Sequence, residues 1–246
     1  MQVEQMLPQH AERLAELQQL IFPTLSAGER LRAEQYHRHL EIFPEGQFVL
    51  TEGVKGDVGD SPIAPAATGV SNAHFVSPDR SAAAGRIVIG ITTTVRIVIG
   101  MTTTMRTNFD LEHYQHTFSH TSGGGWLSNH QPDGEWLYGL DMAVHPAHRG
   151  RGGARLLYRA RQLLVRRLGL KGQLTVGMMS GYGALSKEIS GPEYYAEWLD
   201  GRRQDPTLTP QRNIGFEPLG LIPDYLHDPA CGNYGVLLRL DAGKEV

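Results

Sequence analysis

Residues 137–169 decide the fold, and they read LYGLDMAVHPAHRGRGGARLLYRARQLLVRRLG. The first part carries apolar side chains at every second position up to Val144, which is the period of a β-strand packed on at least one face. Pro146 closes that strand because proline has no backbone N–H to donate. From Gly153 onward leucines recur at helical spacing between arginines, and Gly169 is placed to end the helix. The stretch therefore predicts a strand, a tight turn and a long helix.

The turn between that strand and that helix is rich in glycine and arginine. Three glycines lie between Arg149 and Ala154, and they let the backbone curl close to a ligand whose negative charge faces the first free N–H groups of the helix. Arg149, Arg151 and Arg155 add positive charge. The P-loop and Rossmann patterns do not fit, since no Gly-Lys-Ser/Thr follows and the GxGxxG spacing fails. The turn predicts a pyrophosphate site.

This segment resembles the GNAT superfamily of acetyl-CoA-dependent N-acetyltransferases, whose signature is Arg/Gln-x-x-Gly-x-Gly/Ala after a strand. Arg149, Gly152 and Ala154 fill its fixed positions. The resemblance implies an α/β (α+β) fold: a GNAT-like mixed central sheet, with helices on both faces and a splayed parallel strand pair that holds the cofactor. It implies acetyl-CoA or CoA as cosubstrate. The implied cofactor-binding residues are Met142, Ala143, Val144, Arg149, Gly150, Arg151, Gly152, Gly153, Ala154 and Arg155.

Composition limits the class of protein. The chain has 246 residues, 40% of them hydrophobic, and a formal net charge of −3, so we expect one soluble domain over residues 1–246. This charge balance does not favour nucleic acid or an anionic membrane as a partner. No apolar run is long enough to span a membrane, and no signal peptide is evident. The single cysteine, Cys231, fits a reducing compartment, so we expect a cytoplasmic protein.

Further elements support the GNAT resemblance. Residues 8–21 and about 27–42 predict amphipathic helices, the second capped by Ser26, and residues 47–52 predict a strand. Helix, helix and strand is the opening that the resemblance implies. Residues 173–178 predict a strand parallel to the one that ends at Val144, which makes a βαβ unit. A helix at 192–199, a short helical turn ending at 213–216 and a strand at 234–240 complete the prediction.

The sequence between the second helix and the deciding stretch is unusual. Residues 53–85 are rich in Gly, Ala, Ser, Pro and Asp, and we expect a flexible insertion. A ten-residue duplication follows, residues 86–95 and 96–105, and both copies have strand composition. The fold has room for one such strand, and we expect the second copy to form it. Because ten is an even number, sliding by one repeat keeps each side chain on its face.

Residues 109–135 contain four histidines and a Ser-Gly-Gly-Gly-Trp segment. The histidine spacings could suggest a metal, but no cysteine accompanies them and no carboxylate is placed as a clear third ligand, so we expect no metal site. Two interpretations of this segment stay open. It is either a substrate-facing loop in which Trp126 covers the acceptor, or a solvated surface.

Gly215-Phe216 is similar to the Gly-Phe that follows the last helix of many GNAT proteins. In those proteins a tyrosine four residues before the glycine often acts as the general acid, and here that position is Gln211. The region from Asp205 to Leu226 resembles GNAT modules that precede a nitrilase-type hydrolase domain in some bacteria. The chain has no hydrolase motif, so we expect the module alone.

Acetyl transfer needs a base for the amine, a donor for the oxyanion and an acid for the thiolate. The resemblance implies the Val144 backbone N–H as the oxyanion donor. For the base we propose Asp141, which alternates away from Met142 and Val144; its alternative role is to bond local backbone at a bulge. Glu135 and His145 are other candidate bases. For the acid we propose Tyr225, with Tyr182 as the other candidate. Cys231 has no paired base in the sequence and is read as a bystander.

Three function classes remain after these arguments. The first is an N-acetyltransferase in which a primary amine, small-molecule or peptide, attacks acetyl-CoA directly in a ternary complex. The second is a CoA-binding or acetyl-CoA-binding sensor module without catalysis, which the missing tyrosine favours. The third is a nucleotide-binding regulatory domain. The acceptor amine cannot be read from the sequence, and a homodimer is an open alternative to a monomer.

Overall fold

A computed structural model describes residues 1–55 and 94–246. The strands are β1 Gln2–Gln5, β2 Phe48–Lys55, β3 Thr94–Thr107, β4 Trp136–Val144, β5 Gly172–Met178, β6 Glu217–Ile222 and β7 Gly235–Asp241. The helices are α1 Ala11–Ile21, α2 Ala33–Ile42, α3 Phe118–Ser122, α4 Gly153–Arg167, α5 Gly191–Leu199 and α6 Leu208–Ile214. The strand and helix predicted from the deciding stretch are β4 and α4.

The strands form one mixed sheet in the order β1-β2-β3-β4-β5-β7-β6. In this sheet β4 and β5 are parallel, and the other neighbouring strands are antiparallel. Successive side chains of a strand point to opposite faces. Val49 of β2 accordingly packs in the cluster that contains Leu14 of α1, and its neighbour Leu50 packs with Leu157 of α4. Helices therefore cover both faces of a mixed sheet, which is the α/β architecture that the resemblance implied.

The structure corrects the prediction at four elements. The second helix begins at Ala33 and not at about residue 27. Ser26 instead starts a turn, in which its Oγ donates to Glu29 and the Glu29 carboxylate accepts the backbone N–H of His227. That tie to a distant loop holds the segment out of the helix. The short strands β1 and β6 and the short helix α3 were not predicted.

The duplication lies partly within the described residues. The second copy, residues 96–105, runs through β3 as predicted. Of the first copy only Thr94 and Val95 belong to the strand, and residues 86–93 lie outside the described residues. The predicted insertion at 53–85 begins inside β2, and its residues from 56 onward are likewise outside. Over the described ranges, no helix is both long and apolar enough to cross a membrane.

Candidate functional site

The parallel strands β4 and β5 separate before they end. They pair from Trp136 to Gly139 on β4 and from Gly172 to Thr175 on β5. Beyond this point β5 continues beside β7 as far as Met178, while β4 stays paired with β3. A wedge-shaped gap therefore opens between residues 140–144 and 176–178. This is the splayed strand pair that the resemblance implied.

A β-bulge in β4 marks the point where the wedge opens. Thr103 of β3 pairs with Asp141 and Thr104 pairs with Gly139, so Leu140 is the extra residue. A bulge bends its strand and increases its local twist, and it interrupts the regular alternation that the sequence suggested for β4. The bulge thus turns the end of β4 away from β5.

A buried arginine stabilises this bulge from the α4 face. The Arg161 side chain is 1% exposed, and its guanidinium donates to the backbone carbonyls of Asp141 at 2.7 Å and Thr103 at 3.2 Å. A Cβ atom at Gly139 would lie 2.2 Å from the same guanidinium, so this close approach needs glycine. Burial lowers the pKa of Arg161 to about 10, which leaves it a cation at neutral pH. Sequence reasoning missed this role because Arg161 is one of several arginines between the α4 leucines.

The wedge presents at least one backbone donor. The His145 N–H donates to the Ile99 carbonyl of β3 at 2.7 Å. Hydrogen-bonded and non-hydrogen-bonded pairs alternate in an antiparallel ladder, so the N–H of Val144, which is paired with Gly100, points away from β3. Because β5 has already diverged, that N–H faces the wedge. A backbone donor held in this way suits a developing oxyanion.

The glycine-rich turn lies at the open end of the wedge. Gly150 and Gly152 have φ of 74° and 82°, a left-handed conformation that favours glycine. Gly152 is the N-cap of α4. Among the described residues no side-chain hydrogen bond caps this helix end, and a Cβ at Gly152 would meet no atom within 4 Å. The first N–H groups of α4 thus face open space. The structure brings all ten predicted cofactor-binding residues to this one corner, at the end of β4 and the start of α4.

The three arginines of the turn differ in their partners. Arg149 donates from Nε to the Val144 carbonyl at 3.0 Å. Arg151 forms an ion pair with Glu52 of β2, which also accepts from His148 Nδ1 at 2.8 Å. The hydrogen bond from Arg151 lowers the pKa of Glu52 and keeps it ionised. The Arg151 charge is therefore largely offset, and Arg149 and Arg155 carry more of the positive potential of the turn than the sequence suggested.

Asp141 sends its side chain to the face opposite Arg161. There Gln18 of α1 donates to Oδ2, and the hydroxyl of Tyr36 of α2 lies 3.5 Å from the same oxygen. Burial raises the pKa of Asp141 to about 6, although the charge of Arg161 and the bonds from Gln18, the Met142 N–H and Tyr36 oppose the shift. A carboxyl group that titrates near neutral pH is suited to accept a proton. The bond from the Met142 N–H also fits the alternative role of Asp141 at a bulge.

Tyr225 lies in a chain of hydrogen bonds that runs from the core to the half-buried His116. Its side chain is 3% exposed, and its hydroxyl lies 3.2 Å from that of Tyr138. The Tyr138 hydroxyl in turn lies 2.7 Å from His116 Nε2, and His116 Nδ1 donates to the Tyr114 carbonyl. Burial raises the pKa of Tyr225 well above its usual value. A cavity of about 260 Å³ adjoins His116 on the side of Phe109 and His113.

The other candidates from the sequence lie elsewhere. Glu135 precedes β4 and pairs with Lys171 at the closed end of the wedge. His145 accepts the Ala147 N–H and closes the turn after β4. Tyr182 is buried between Tyr194 and Tyr234. In the described part of the chain, the side chains hydrogen-bonded to the Asp141 carboxylate are those of Gln18 and Tyr36, and none of these three candidates is among them.

The histidines of residues 109–135 form no metal site within the described part of the chain, where no three His, Cys, Asp or Glu side chains cluster suitably. The glycines of this segment are held to α2. The Gly125 carbonyl bonds His39 Nε2 at 2.8 Å, and the Gly124 carbonyl accepts from Gln35. Trp126 is 39% exposed, with the Arg32 guanidinium 5.9 Å from its ring. The segment is anchored on α2.

Gln211, at the position of the missing family tyrosine, is 6% exposed. Its Nε2 donates to the hydroxyl of Tyr158 on α4 at 2.7 Å. Its Oε1 lies over Gly177 of β5, where a Cβ atom would come within 2.3 Å of that oxygen. This contact between α4, α6 and β5 was not foreseen, because nothing in the spacing of Tyr158 and Gln211 joins them.

No protein-family model matches the chain. Two proteins of Bacillus subtilis (strain 168) are each 28% identical to it over 229 residues, or 93% of the chain. One is described as probable hydrolase YhcX, and the chain spans 36% of the length of that protein. The other is described as uncharacterized N-acetyltransferase YkwB, and the chain spans 83% of its length.

Solved structures support the same fold. GphF GNAT-like decarboxylase in complex with isobutyryl-CoA superposes with a TM-score of 0.65 at 18% identity, covering 98% of this chain and 100% of that one. The loading GNATL domain of CurA from Lyngbya majuscula superposes with a TM-score of 0.66 at 17% identity, covering 98% and 96%. Identities this low establish fold alone. The chain therefore has a GNAT-like fold, and it resembles the GNAT superfamily.

Proposed function

We propose that the chain transfers an acetyl group from acetyl-CoA to a primary amine. The observation that carries this proposal is the wedge between β4 and β5, which has the Val144 N–H along one side and the uncapped start of α4 at its open end. An elongated cosubstrate with a pyrophosphate fits that arrangement. The GNAT-like fold and the likeness to YkwB support it.

The turn residues would hold the pyrophosphate. The free N–H groups after Gly152, the helix dipole and the Arg149 and Arg155 side chains all favour negative charge there. The acyl arm would lie along Met142, Ala143 and Val144, with its carbonyl oxygen toward the Val144 N–H. The ten predicted cofactor-binding residues are therefore retained in this proposal.

Asp141 is proposed as the base. A protonated amine cannot attack a thioester, and a carboxyl group with a pKa of about 6 is largely ionised at neutral pH and able to accept the proton. The amine would approach from the face that carries α1 and α2, in a ternary complex. A cysteine intermediate finds no support, because Cys231 is buried and its thiol pKa is raised by burial to about 12.

A second candidate function is decarboxylation of a carboxylated acyl-CoA. The observation that favours it is the superposition on GphF, a GNAT-like decarboxylase, together with the missing tyrosine at Gln211. A sensor module that binds acetyl-CoA without turnover is the third candidate.

Thiol release separates these candidates. Purified protein is incubated with acetyl-CoA and a panel of small and peptide amines, and in parallel with malonyl-CoA alone, while free CoA and carbon dioxide are measured. Amine-dependent CoA release with acetyl-CoA is the expected result. Carbon dioxide from malonyl-CoA would instead establish decarboxylation. Binding of acetyl-CoA without release of CoA for any amine would contradict the proposed transfer and favour the sensor.

A further inference from the structure

Residue 211, where many GNAT proteins carry the tyrosine that protonates the departing thiolate, is a glutamine in this chain. The end of the Gln211 side chain is hydrogen-bonded to the hydroxyl of another tyrosine, Tyr158. We propose that Tyr158 of α4 is the proton donor to the CoA thiolate and that Gln211 positions it, an assignment that rests on the proposed transfer. The length of the Gln211 side chain plus one hydrogen bond is similar to the distance from the Cα atom to the hydroxyl of a tyrosine. The hydroxyl is therefore supplied from α4 instead of α6.

The direction of the hydrogen bond leaves the Tyr158 proton available. Gln211 Nε2 donates to the Tyr158 oxygen at 2.7 Å, and with the amide in this orientation the hydroxyl hydrogen points elsewhere. Among residues 1–55 and 94–246 the Tyr158 hydroxyl has no second hydrogen-bond partner. A buried hydroxyl seldom lacks an acceptor, and a sulfur atom placed in the wedge would provide one.

The pair lies beside the wedge. Gln211 packs on Gly177, which lies two residues beyond Thr175, the last β5 residue that pairs with β4. The Oε1 atom of Gln211 is buried and has no hydrogen-bond partner within the described residues. A buried acceptor without a partner destabilises the fold, because it has lost its hydrogen bonds to water. An N–H or S–H group of the cosubstrate in the wedge would satisfy it, which is an independent sign that a ligand belongs there.

The surroundings favour the anion that Tyr158 leaves behind. The Arg161 guanidinium carbon lies 5.5 Å from the centre of the Tyr158 ring. Burial raises the pKa of Tyr158, while the Arg161 charge and the Gln211 hydrogen bond lower it. The hydroxyl is thus protonated at neutral pH, and a nearby cation and a hydrogen-bond donor stabilise its conjugate base. Phe216 packs against the same ring at 4.9 Å and fixes its orientation.

The step balances without any further reactant. When the tetrahedral intermediate collapses, the carbon–sulfur bond breaks and its electron pair goes to sulfur. The Tyr158 hydroxyl gives its proton to that sulfur, which leaves as the thiol. The proton lost by the attacking amine to Asp141 passes to solvent, and the Tyr158 phenolate regains a proton from solvent before the next turnover.

Two variants and one matched control test the assignment. Tyr158→Phe keeps the ring against Phe216 and removes the hydroxyl alone, and Gln211→Leu keeps that hydroxyl but removes its positioning donor. Tyr195→Phe removes the hydroxyl of a half-buried tyrosine on α5 and serves as the control. Acetyl transfer, acetyl-CoA affinity and melting temperature are measured for each, together with Tyr225→Phe, which removes the acid proposed from the sequence.

We expect Tyr158→Phe to lower kcat about 100-fold, the scale of general acid catalysis, and to change KM and the Kd for acetyl-CoA less than about threefold. Gln211→Leu should lower kcat about tenfold with the same unchanged affinity, and Tyr195→Phe should keep kcat within about threefold. A merely structural role would move affinity and melting temperature together with kcat.

Two results would overturn the assignment, and they are distinguishable. If the unaltered protein transfers acetyl groups while Tyr158→Phe keeps kcat within about threefold, Tyr158 is not the donor and the proposed function stands. A loss of kcat in Tyr225→Phe alone would give the role to Tyr225. If the unaltered protein transfers acetyl to no amine, the proposed function is wrong, and the assignment of Tyr158 as proton donor is wrong as well.

Discussion

At the scale of single residues, Asp141 makes the sharpest prediction about pH. Its carboxyl group must be ionised to accept a proton, so kcat/KM should rise with pH through about 6, the pKa that burial gives it. Asp141→Asn should lower kcat about 100-fold at pH 7.5 and remove that acidic limb. A pH–rate profile of both proteins checks this. An unchanged limb in the variant would show that another group titrates there.

The same carboxyl group has an opposite effect on stability. Burial raises its pKa from 3.8 to about 6 in the folded protein, so the ionised form destabilises the fold above pH 6, and this cost fades as pH falls toward 4. Asp141→Asn should therefore melt at a higher temperature than the unaltered protein at pH 8, with little difference at pH 4. His39, whose pKa burial lowers to about 4, destabilises both proteins equally in acid, so the comparison isolates Asp141. An equal melting temperature at pH 8 would contradict the buried-carboxylate account.

The residues that adjust Asp141 show how far sequence reasoning reaches. Asp141 and Val144 could be placed because they lie in one strand of clear period, just before a recognisable turn. Gln18, Tyr36 and Arg161 could not, because they come from three different helices and meet Asp141 only in the folded chain. Tyr158 and Gln211 were missed for the same reason.

At the scale of elements, the bulge in β4 is the feature that the apolar pattern concealed. Leu140 fits a regular alternation in the sequence, yet it is the extra residue of the bulge. Gly139, Asp141 and Arg161 together could have revealed the bulge. Gly139 leaves room for the Arg161 guanidinium, which donates to the Asp141 carbonyl. β1 was missed because the Gln-Val-Glu-Gln sequence is short and mostly polar, as suits an edge strand.

The duplication allows a matched pair of deletions. Removing residues 86–95 leaves the copy that runs through β3, so melting temperature and fold should change little. Removing residues 96–105 makes the first copy take its place with each face conserved, and puts Ile91 and Val95 at the positions of Met101 and Met105, which are 0% and 1% exposed. The loss of buried volume at residue 105 should cost about 1–2 kcal/mol, a few degrees in melting temperature.

Circular dichroism melts of the two deletion proteins make that comparison. The opposite result would be an unfolded protein after deletion of 86–95 and a stable protein after deletion of 96–105. It would mean that the first copy supports the fold and that the assignment of the second copy to β3 is wrong.

At the scale of the whole molecule, the resemblance implied the mixed sheet, the helices on both faces and the splayed strands, and the structure confirms them. The acceptor amine of the proposed transfer could not be read from the sequence, because a substrate pocket is formed by side chains that meet only in the folded chain. The homodimer stays a prediction, and the outermost strands of the described sheet, β1 and β6, are the edges at which strand pairing could extend between copies.

The central claim is that acetyl-CoA binds in the wedge with its pyrophosphate at the turn before α4. Calorimetric titration with acetyl-CoA tests it on three proteins: unaltered, Gly152→Glu and Gly169→Glu. The two glycines are matched, since φ is 82° and 65° and a Cβ at either would meet no atom within 4 Å, but Gly169 lies beyond the far end of α4. Both variants thus carry the same charge and similar backbone strain.

We expect the unaltered protein to bind with a Kd on the order of 10 μM and Gly169→Glu to bind within about threefold of it. Gly152→Glu should bind more than about tenfold weaker, because its carboxylate faces the pyrophosphate. Absence of binding by the unaltered protein at about 1 mM acetyl-CoA, or equal binding by Gly152→Glu, would contradict the account.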